Sequence, residues 1–158
     1  MHVPFCVQKC AYCDFYSLPE NPSGYGSLLI QELEQKKNWF SKLNFTTLYF
    51  GGGTPSLLSL QELEQFFKTL SALYPLSRLK EITLEANPES LTAEKARFWT
   101  ELGINRISLG IQSFNPAILK KLGRMAGVQE NLKAAETAAK FFKNFSLDLI
   151  YGIPGQNL

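Results

Sequence analysis

Short apolar segments recur along the chain, and each runs into glycine, proline or an amide residue. The segment TTLYF at 46–50 leads into GGGTP, and the segment EITLEA at 81–86 leads into Asn87-Pro88. Short runs rich in β-branched and aromatic residues are typical of parallel strands that are buried on both faces. The pattern therefore predicts buried parallel strands at 2–5, 46–50, 81–86, 106–111 and 145–150.

Between these segments the apolar positions follow a helical period. Leucine and phenylalanine recur at helical spacing through 60–73, which predicts a helix with one face packed on the core. Asn115-Pro116 and Gly123 are residue types that begin and end helices. We predict helices at 28–40, 60–73, 91–102, 115–123 and 128–142.

The alternation of strands and helices predicts an α/β fold, a partial β/α barrel of about five βα units around a parallel sheet. In such barrels the functional groups lie at the carboxyl ends of the strands. The unusual residues of this sequence directly follow predicted strands, as the cysteine loop, the GGGTP segment and the YGIPG segment do. We therefore expect one rim of the barrel to carry Cys13, Gly52, Glu85, Gln112 and Asp148.

The composition excludes several classes of protein. The 158 residues carry a net charge of +2, too small to indicate a nucleic-acid partner. No apolar run approaches the ~20 residues that span a bilayer, and the start of the sequence has no secretory signal. We expect a cytoplasmic protein without a transmembrane segment, in which thiols stay reduced.

All three cysteines, Cys6, Cys10 and Cys13, lie in one short loop with the spacing C-x3-C-x2-C. A structural disulfide is opposed by the odd number and by a reducing compartment. A Cys10–Cys13 redox pair leaves Cys6 unexplained. A zinc site needs a fourth ligand, for which His2 is the only histidine, and His2 lies in a predicted strand. An iron–sulfur cluster held by three thiolates uses every cysteine and leaves one iron open for another ligand.

The cysteine spacing resembles the signature of the radical S-adenosylmethionine (SAM) superfamily. That resemblance implies a [4Fe–4S] cluster on Cys6, Cys10 and Cys13, with the amino and carboxylate groups of SAM on the open iron. It further implies reductive cleavage of SAM to methionine and a 5′-deoxyadenosyl radical. The same resemblance assigns SAM contacts to Tyr12, Gly52, Gly53, Thr54, Glu85, Gln112, Arg124 and Asp148.

The segments GGGTPSLL, LEANPES, NRISLGIQSFN, LKKLGR and DLIYGIPGQ narrow the resemblance further. They are similar to the branch that contains oxygen-independent coproporphyrinogen III oxidase and the haem chaperone HemW. The oxidase pattern has a further cysteine where this chain has Phe15, which favours the chaperone. The alternatives are the oxidase, which decarboxylates two propionates of coproporphyrinogen III, and an inactive remnant.

The resemblance also implies binding partners, and it indicates which part of the family's core domain this sequence represents. The expected partners are SAM, haem or a porphyrinogen, an electron donor of the flavodoxin or ferredoxin kind and, for a chaperone, a client haem protein. The family's histidine before the cluster corresponds to His2, with either a structural or a catalytic role. Because the tyrosine upstream of this histidine and the C-terminal region of the family are absent, 1–158 is expected to be an N-terminal portion of the radical SAM core.

Overall fold

The computed structural model describes residues 1–40 and 42–157. In this part of the chain a five-stranded sheet has the order β1-β2-β3-β4-β5, and every neighbouring pair is parallel. Each strand therefore pairs with the next one along the sequence, as in the wall of a β/α barrel. The predicted partial barrel with parallel strands is confirmed. The strands are β1 (His2–Val3), β2 (Thr47–Gly52), β3 (Glu81–Ala86), β4 (Arg106–Gln112) and β5 (Asn144–Leu149).

Helices connect the strands, with short 3-10 turns at Pro55–Leu57, Leu76–Arg78 and Pro88–Ser90. The predicted ends of the helix at 115–123 are confirmed: Asn115 accepts hydrogen bonds from the N–H groups of Ala117 and Ile118, and Gly123 closes the helix in the left-handed conformation. The helices are α1 (Tyr25–Gln35), α2 (Lys37–Phe40), α3 (Leu60–Leu73), α4 (Ala93–Glu101), α5 (Pro116–Leu122) and α6 (Val128–Phe141).

The first helix differs from the prediction of one helix over 28–40. Helix α1 begins at Tyr25 and ends at Gln35, and a separate turn of helix, α2, follows. The buried face of α1 consists of Gly26, Leu29 and Leu33, whereas Leu28 is exposed. Gly26 belongs to the buried face but has no apolar side chain. The helical pattern of apolar residues therefore becomes visible only after the first turn of the helix, and it does not show where the helix begins.

The strands have one apolar and one polar face, and the central strands β3 and β4 are largely buried on both, as the sequence predicted. The apolar face carries Phe50, Leu84 and Ile107, all fully buried. On the opposite face of β4 and β5, Ser108 lies 3.0 Å from the hydroxyl of Ser146 and donates to both carboxylate oxygens of Asp148. Side chains alternate between faces along a strand, so a polar inner face lies beside an apolar outer face.

Candidate cofactor site

A cavity lies at the carboxyl ends of the strands. It is formed by the cysteine loop (residues 6–13), the glycine segment at the end of β2 (residues 51–55) and the ends of β3, β4 and β5. Its volume of about 150 Å³ is below the ~300–1,000 Å³ of a typical small-molecule pocket, so the described residues form only a small cavity. Every residue predicted to bind the cluster or SAM lines this cavity: Cys6, Cys10, Tyr12, Cys13, Gly52, Gly53, Thr54, Glu85, Gln112, Arg124 and Asp148. The structure brings these side chains together, while their binding roles stay predictions.

The cysteine loop is held at both ends by backbone hydrogen bonds. The N–H of Cys6 donates to the carbonyl of Leu18 at 2.9 Å, which closes the base of the loop. At its tip, the N–H of Ala11 donates to the carbonyl of Leu122 at 3.2 Å. The Gln8 side chain donates to the carbonyl of Gly123 at 2.6 Å. The end of helix α5 therefore positions the loop over the sheet.

The three cysteines are free, partly buried thiols. The hydroxyl of Thr54 donates to Cys6 Sγ at 3.5 Å, and Arg124 Nη1 donates to Cys10 Sγ at 3.5 Å. Within the described part of the chain, no three His, Cys, Asp or Glu side chains converge as ligands of one metal ion. Each cysteine of a four-iron cluster ligates its own iron, so a spread-out arrangement is compatible with such a cluster.

The glycine segment lets the cysteine loop approach the sheet. A side chain at Gly53 would come within 2.6 Å of the carbonyl oxygen of Phe5. The N–H of Gly53 donates to the carbonyl of Val3, and the N–H of Thr54 donates to that of Phe5. Since these N–H groups already have partners, hydrogen bonds from this segment to SAM would have to be made by its carbonyl oxygens.

Glu85 is anchored at the end of β3. Its Oε1 accepts a hydrogen bond from the Tyr49 hydroxyl at 2.6 Å, and its Oε2 accepts one from the N–H of Gly52 at 3.2 Å. Burial, together with the hydrogen bond to Glu85, raises the pKa of Tyr49 to about 12. Tyr49 therefore stays a neutral donor to the carboxylate at physiological pH.

Arg124 is the most constrained cation at the cavity. Its Nη2 donates to Asn87 Oδ1 at 2.9 Å and to the carbonyl of Gly110 at 2.8 Å. Burial alone would lower the pKa of this guanidinium, but the hydrogen bond to Cys10 and the nearby Tyr12 leave the pKa raised. Among the described residues, no group accepts a hydrogen bond from its buried Nε. The guanidinium therefore places a fixed positive charge at the cavity wall.

The remaining predicted residues come from β4, β5 and the cysteine loop. Gln112 has a positive φ of 67°, at an irregularity in the pairing of β4 with β5. A positive φ is uncommon for a residue with a side chain and directs Gln112 differently from a regular strand residue. Asp148 is exposed and accepts from Ser108. Burial raises the pKa of Tyr12 to about 12; Arg124 opposes that rise, and Cys10 adds to it.

His2 does not join the three thiols. It is exposed, and its imidazole packs against Gly52, with its ring centroid 6.3 Å from that of Tyr16. The cavity-lining residues do not include it, so the described structure gives no support to a zinc site of three cysteines and His2.

Asn87 is a cavity residue that the sequence predicted to lie at the functional ends of the strands, without assigning it a binding role. It lines the cavity between Thr54 and Arg124. The only local signal was the Asn-Pro pair after β3, which marks a turn and says nothing of a partner far along the chain.

The radical SAM superfamily profile matches residues 1–158. The chain belongs to the radical SAM superfamily. The haem chaperone HemW of Buchnera aphidicola subsp. Schizaphis graminum is 37% identical over 164 residues, which cover 100% of this chain and 43% of that protein. The oxygen-independent coproporphyrinogen-III oxidase-like protein HemZ of Bacillus subtilis is 32% identical over 166 residues, 99% of this chain and 33% of that protein.

The solved structures place the same fold in this superfamily. Coproporphyrinogen III oxidase (HemN) from Escherichia coli superimposes with a TM-score of 0.87 and 25% identity, over 98% of this chain and 37% of that one. This radical SAM chain therefore spans less than half the length of the relatives it matches. The resemblance predicted from the sequence motifs is confirmed.

The radical SAM family implies a [4Fe–4S] cluster and SAM as cofactors, and the residues of the cavity fit both. Three free thiols line the same cavity, with hydrogen-bond donors already directed at two of them. The carboxylate of SAM is matched in charge by the guanidinium of Arg124, which lines the cavity. Throughout residues 1–40 and 42–157, every helix is too short or too polar to cross a membrane.

Proposed function

We propose that this chain is the cofactor-binding part of a haem-handling radical SAM protein of the HemW type. The observation that carries the proposal is the 37% identity to a haem chaperone HemW along the whole of this chain. The cavity adds physical support, because all three cysteines and the expected SAM-contacting residues face the same space. The proposed domain is the N-terminal portion of the radical SAM core, at 1–158.

In this proposal Cys6, Cys10 and Cys13 ligate the cluster. When bound, the cluster and SAM together supply one-electron chemistry that the side chains of the chain lack. The protein residues bind and orient: Arg124 meets the SAM carboxylate, and the carbonyls of the glycine segment accept from its amino group. Glu85, Gln112 and Asp148 hold the remaining polar groups, while Tyr12 covers the outer side of the site.

Phe15 favours the chaperone over the oxidase. It occupies the position at which the oxidase pattern has a fourth cysteine, and 73% of its side chain is exposed. An exposed phenylalanine beside the exposed Tyr16 offers an apolar contact surface and no thiol chemistry. A flat apolar ligand such as haem suits contact surfaces of this kind.

Coproporphyrinogen III oxidase is the second candidate. The superposition on the Escherichia coli oxidase, with a TM-score of 0.87, favours it. Both functions use the same cluster and SAM site, so the cavity described above does not separate them. The difference lies in whether a tetrapyrrole is carried or chemically changed.

The proposal includes partners and a compartment. A flavodoxin- or ferredoxin-like donor would reduce the cluster, and a client haem protein would receive the haem. Unpaired thiols suit a reducing compartment, so we infer a cytoplasmic location.

Anaerobic reconstitution with iron and sulfide, followed by haem titration, tests the proposal. We expect a brown protein with stoichiometric iron and sulfide whose absorbance changes saturably as haem is added. The same sample is then given coproporphyrinogen III, SAM and reductant without oxygen. Conversion to protoporphyrinogen IX without haem binding would replace the proposal by the oxidase. A colourless protein that takes up neither iron nor haem would contradict both and leave the inactive remnant.

A further inference from the structure

The Asn87 amide links two residues that donate hydrogen bonds to cysteine sulfurs. Its Nδ2 donates to Thr54 Oγ1 at 3.0 Å, and its Oδ1 accepts from Arg124 Nη2 at 2.9 Å. Thr54 in turn donates to Cys6 Sγ, and Arg124 donates to Cys10 Sγ. One continuous hydrogen-bonded chain therefore runs from Cys6 to Cys10 through the end of β3.

The direction of each hydrogen bond in this chain is set by chemistry. A guanidinium only donates, so the oxygen of the Asn87 amide must face Arg124. The amide nitrogen then faces Thr54 and donates to its oxygen. Because Thr54 Oγ1 accepts from the amide, its own proton is free to be directed at Cys6 Sγ.

The backbone at Asn87 is held in place by Ser90. The N–H of Asn87 donates to Ser90 Oγ at 3.2 Å, and Ser90 Oγ donates back to the carbonyl of Asn87 at 2.7 Å. Ser90 is buried and lies 2.6 Å from the hydroxyl of the fully buried Ser56. The backbone that carries the amide is therefore anchored, and the amide itself is oriented by its hydrogen bonds with Thr54 and Arg124.

We propose that Asn87 is a positioning residue that raises the reduction potential of the cluster by directing Thr54 at Cys6 and Arg124 at Cys10. Hydrogen bonds to cluster thiolates stabilise the more negative, reduced state and so raise the potential. Asn87 acts through Thr54 and Arg124, the two residues to which its amide is hydrogen-bonded. The inference rests on the cluster binding of the proposed function and adds the residue that tunes it.

The test is a redox titration of the reconstituted chain, followed by electron paramagnetic resonance of the reduced cluster. Thr54→Val removes the proton donor to Cys6 at nearly constant shape, whereas Thr54→Ser keeps it. We expect Thr54→Val to lower the midpoint potential by an amount equal to about a tenfold change in the reduced-to-oxidised ratio, 59 mV for one electron. Thr54→Ser should stay near the wild-type potential.

Asn87→Asp reverses the direction of the hydrogen bond between residue 87 and Thr54, while the shape of the side chain stays nearly constant. A carboxylate accepts from Arg124 but accepts from Thr54 as well, so the Thr54 proton turns away from Cys6. We expect a lower potential in Asn87→Asp and, decisively, no further effect of Thr54→Val in that background. A purely structural or purely electrostatic role of Asn87 would leave the effect of Thr54→Val unchanged there, and that result would overturn the inference.

The two proposals fail in distinguishable ways. If wild-type chain takes up no cluster, judged by iron content and visible absorbance, the proposed function fails. If the wild-type chain takes up the cluster and Thr54→Val has the wild-type potential, only the role of Asn87 fails. Asn87→Ala is a third variant, and it removes the hydrogen bonds of the amide to both Thr54 and Arg124. We expect its midpoint potential to be below that of Thr54→Val. A wild-type midpoint potential in Asn87→Ala would directly contradict the proposed positioning role of Asn87.

Discussion

At the scale of single residues, Gly53 shows how the cysteine loop comes to lie over the sheet. A side chain there would meet the backbone of Phe5, with its carbonyl oxygen at 2.6 Å and its nitrogen at 2.8 Å. Backbone atoms cannot rotate aside as a flexible side chain does. The absence of a Cβ at this position is therefore what allows the loop that carries Cys6 to pack against the end of β2.

We predict that Gly53→Ala displaces the cysteine loop. The added methyl group should destabilise the chain by about 1–3 kcal/mol through overpacking. It should also lower the iron retained per chain after anaerobic reconstitution and desalting. Gly127→Ala is the matched control, because its added Cβ would meet only the Oε2 end of the Glu130 side chain, at 2.9 Å. Equal iron content in both variants would contradict this account of Gly53.

Some residues of the site could be predicted from the sequence and others could not. The cysteines were identifiable from their spacing, because all three lie within one loop. The SAM-contacting residues followed only from resemblance to a family. The partners of Arg124 could not be predicted, since Asn87 lies 37 positions away and hydrogen bonds of that reach depend on the folded backbone.

At the scale of elements, the strands were predicted closely and the first helix was not. Parallel strands inside a β/α fold have strong apolar runs that end at turn residues, as β3 does at Asn87-Pro88. Helix α1 begins after Gly24, which has no side chain that could cap the helix, and its buried Gly26 packs on α3. A helix start without a capping residue and with a glycine in the packed face leaves no sequence signal.

The N-terminus of α3 joins two elements through one carboxylate. Glu62 accepts hydrogen bonds from the N–H and the hydroxyl of Ser59, which completes a capping box. Its other oxygen accepts from the N–H of Gly26 in α1 at 3.1 Å. Burial alone would raise the pKa of Glu62, but these hydrogen bonds hold that pKa below the usual value of a glutamate.

We predict that Glu62→Gln lowers the free energy of unfolding by about 1 kcal/mol at pH 7. A carboxyl whose pKa is lower in the folded than in the unfolded state contributes stability above the unfolded pKa, and loses it as the pH falls through the folded pKa. The difference between wild type and Glu62→Gln should therefore shrink below about pH 4. Urea unfolding across pH 3 to 7 measures it.

The control for this prediction is Glu64→Gln on the same helix, where the carboxylate is exposed. This variant should match wild type at every pH, since removing an exposed charge far from partners changes little. A stability difference for Glu62→Gln that does not depend on pH would refute the carboxylate cap.

A second junction, between α6 and β4, depends on Asn131. Its side chain is fully buried, and its Nδ2 donates to the carbonyls of Ile111 and Ser113, which flank Gln112. We predict that Asn131→Ala lowers the free energy of unfolding by about 1–3 kcal/mol, because two buried carbonyls lose their donor. Chemical denaturation measures it, with exposed Gln129→Ala on α6 as the control. An equal loss in both variants would argue against a specific role of the Asn131 amide.

At the scale of the whole molecule, the cysteine loop connects parts of the chain that are remote in sequence. Gln8 donates to the carbonyl of Gly123, 115 positions away, and Cys6 contacts Thr54 after β2. Arg124 joins the loop to the ends of β3 and β4 through Asn87 and Gly110. A group that ties three points of this loop together therefore acts on the stability of the whole sheet.

We predict that cluster loading stabilises the entire chain against unfolding. A ligand that binds only the folded state adds RT ln(1 + [L]/Kd), about 2.7 kcal/mol at a hundred times Kd. We expect this selectivity of the cluster, because the loop that carries its three cysteines is anchored on α5 and β2 in the folded chain. Anaerobic thermal unfolding of loaded and metal-free chain should show a higher midpoint for the loaded form.

Cys13→Ala should abolish that difference while leaving the metal-free midpoint nearly unchanged, since Cys13 is only partly buried. Coincident midpoints for loaded and metal-free wild type, at full iron content, would show that the loop is not coupled to the sheet.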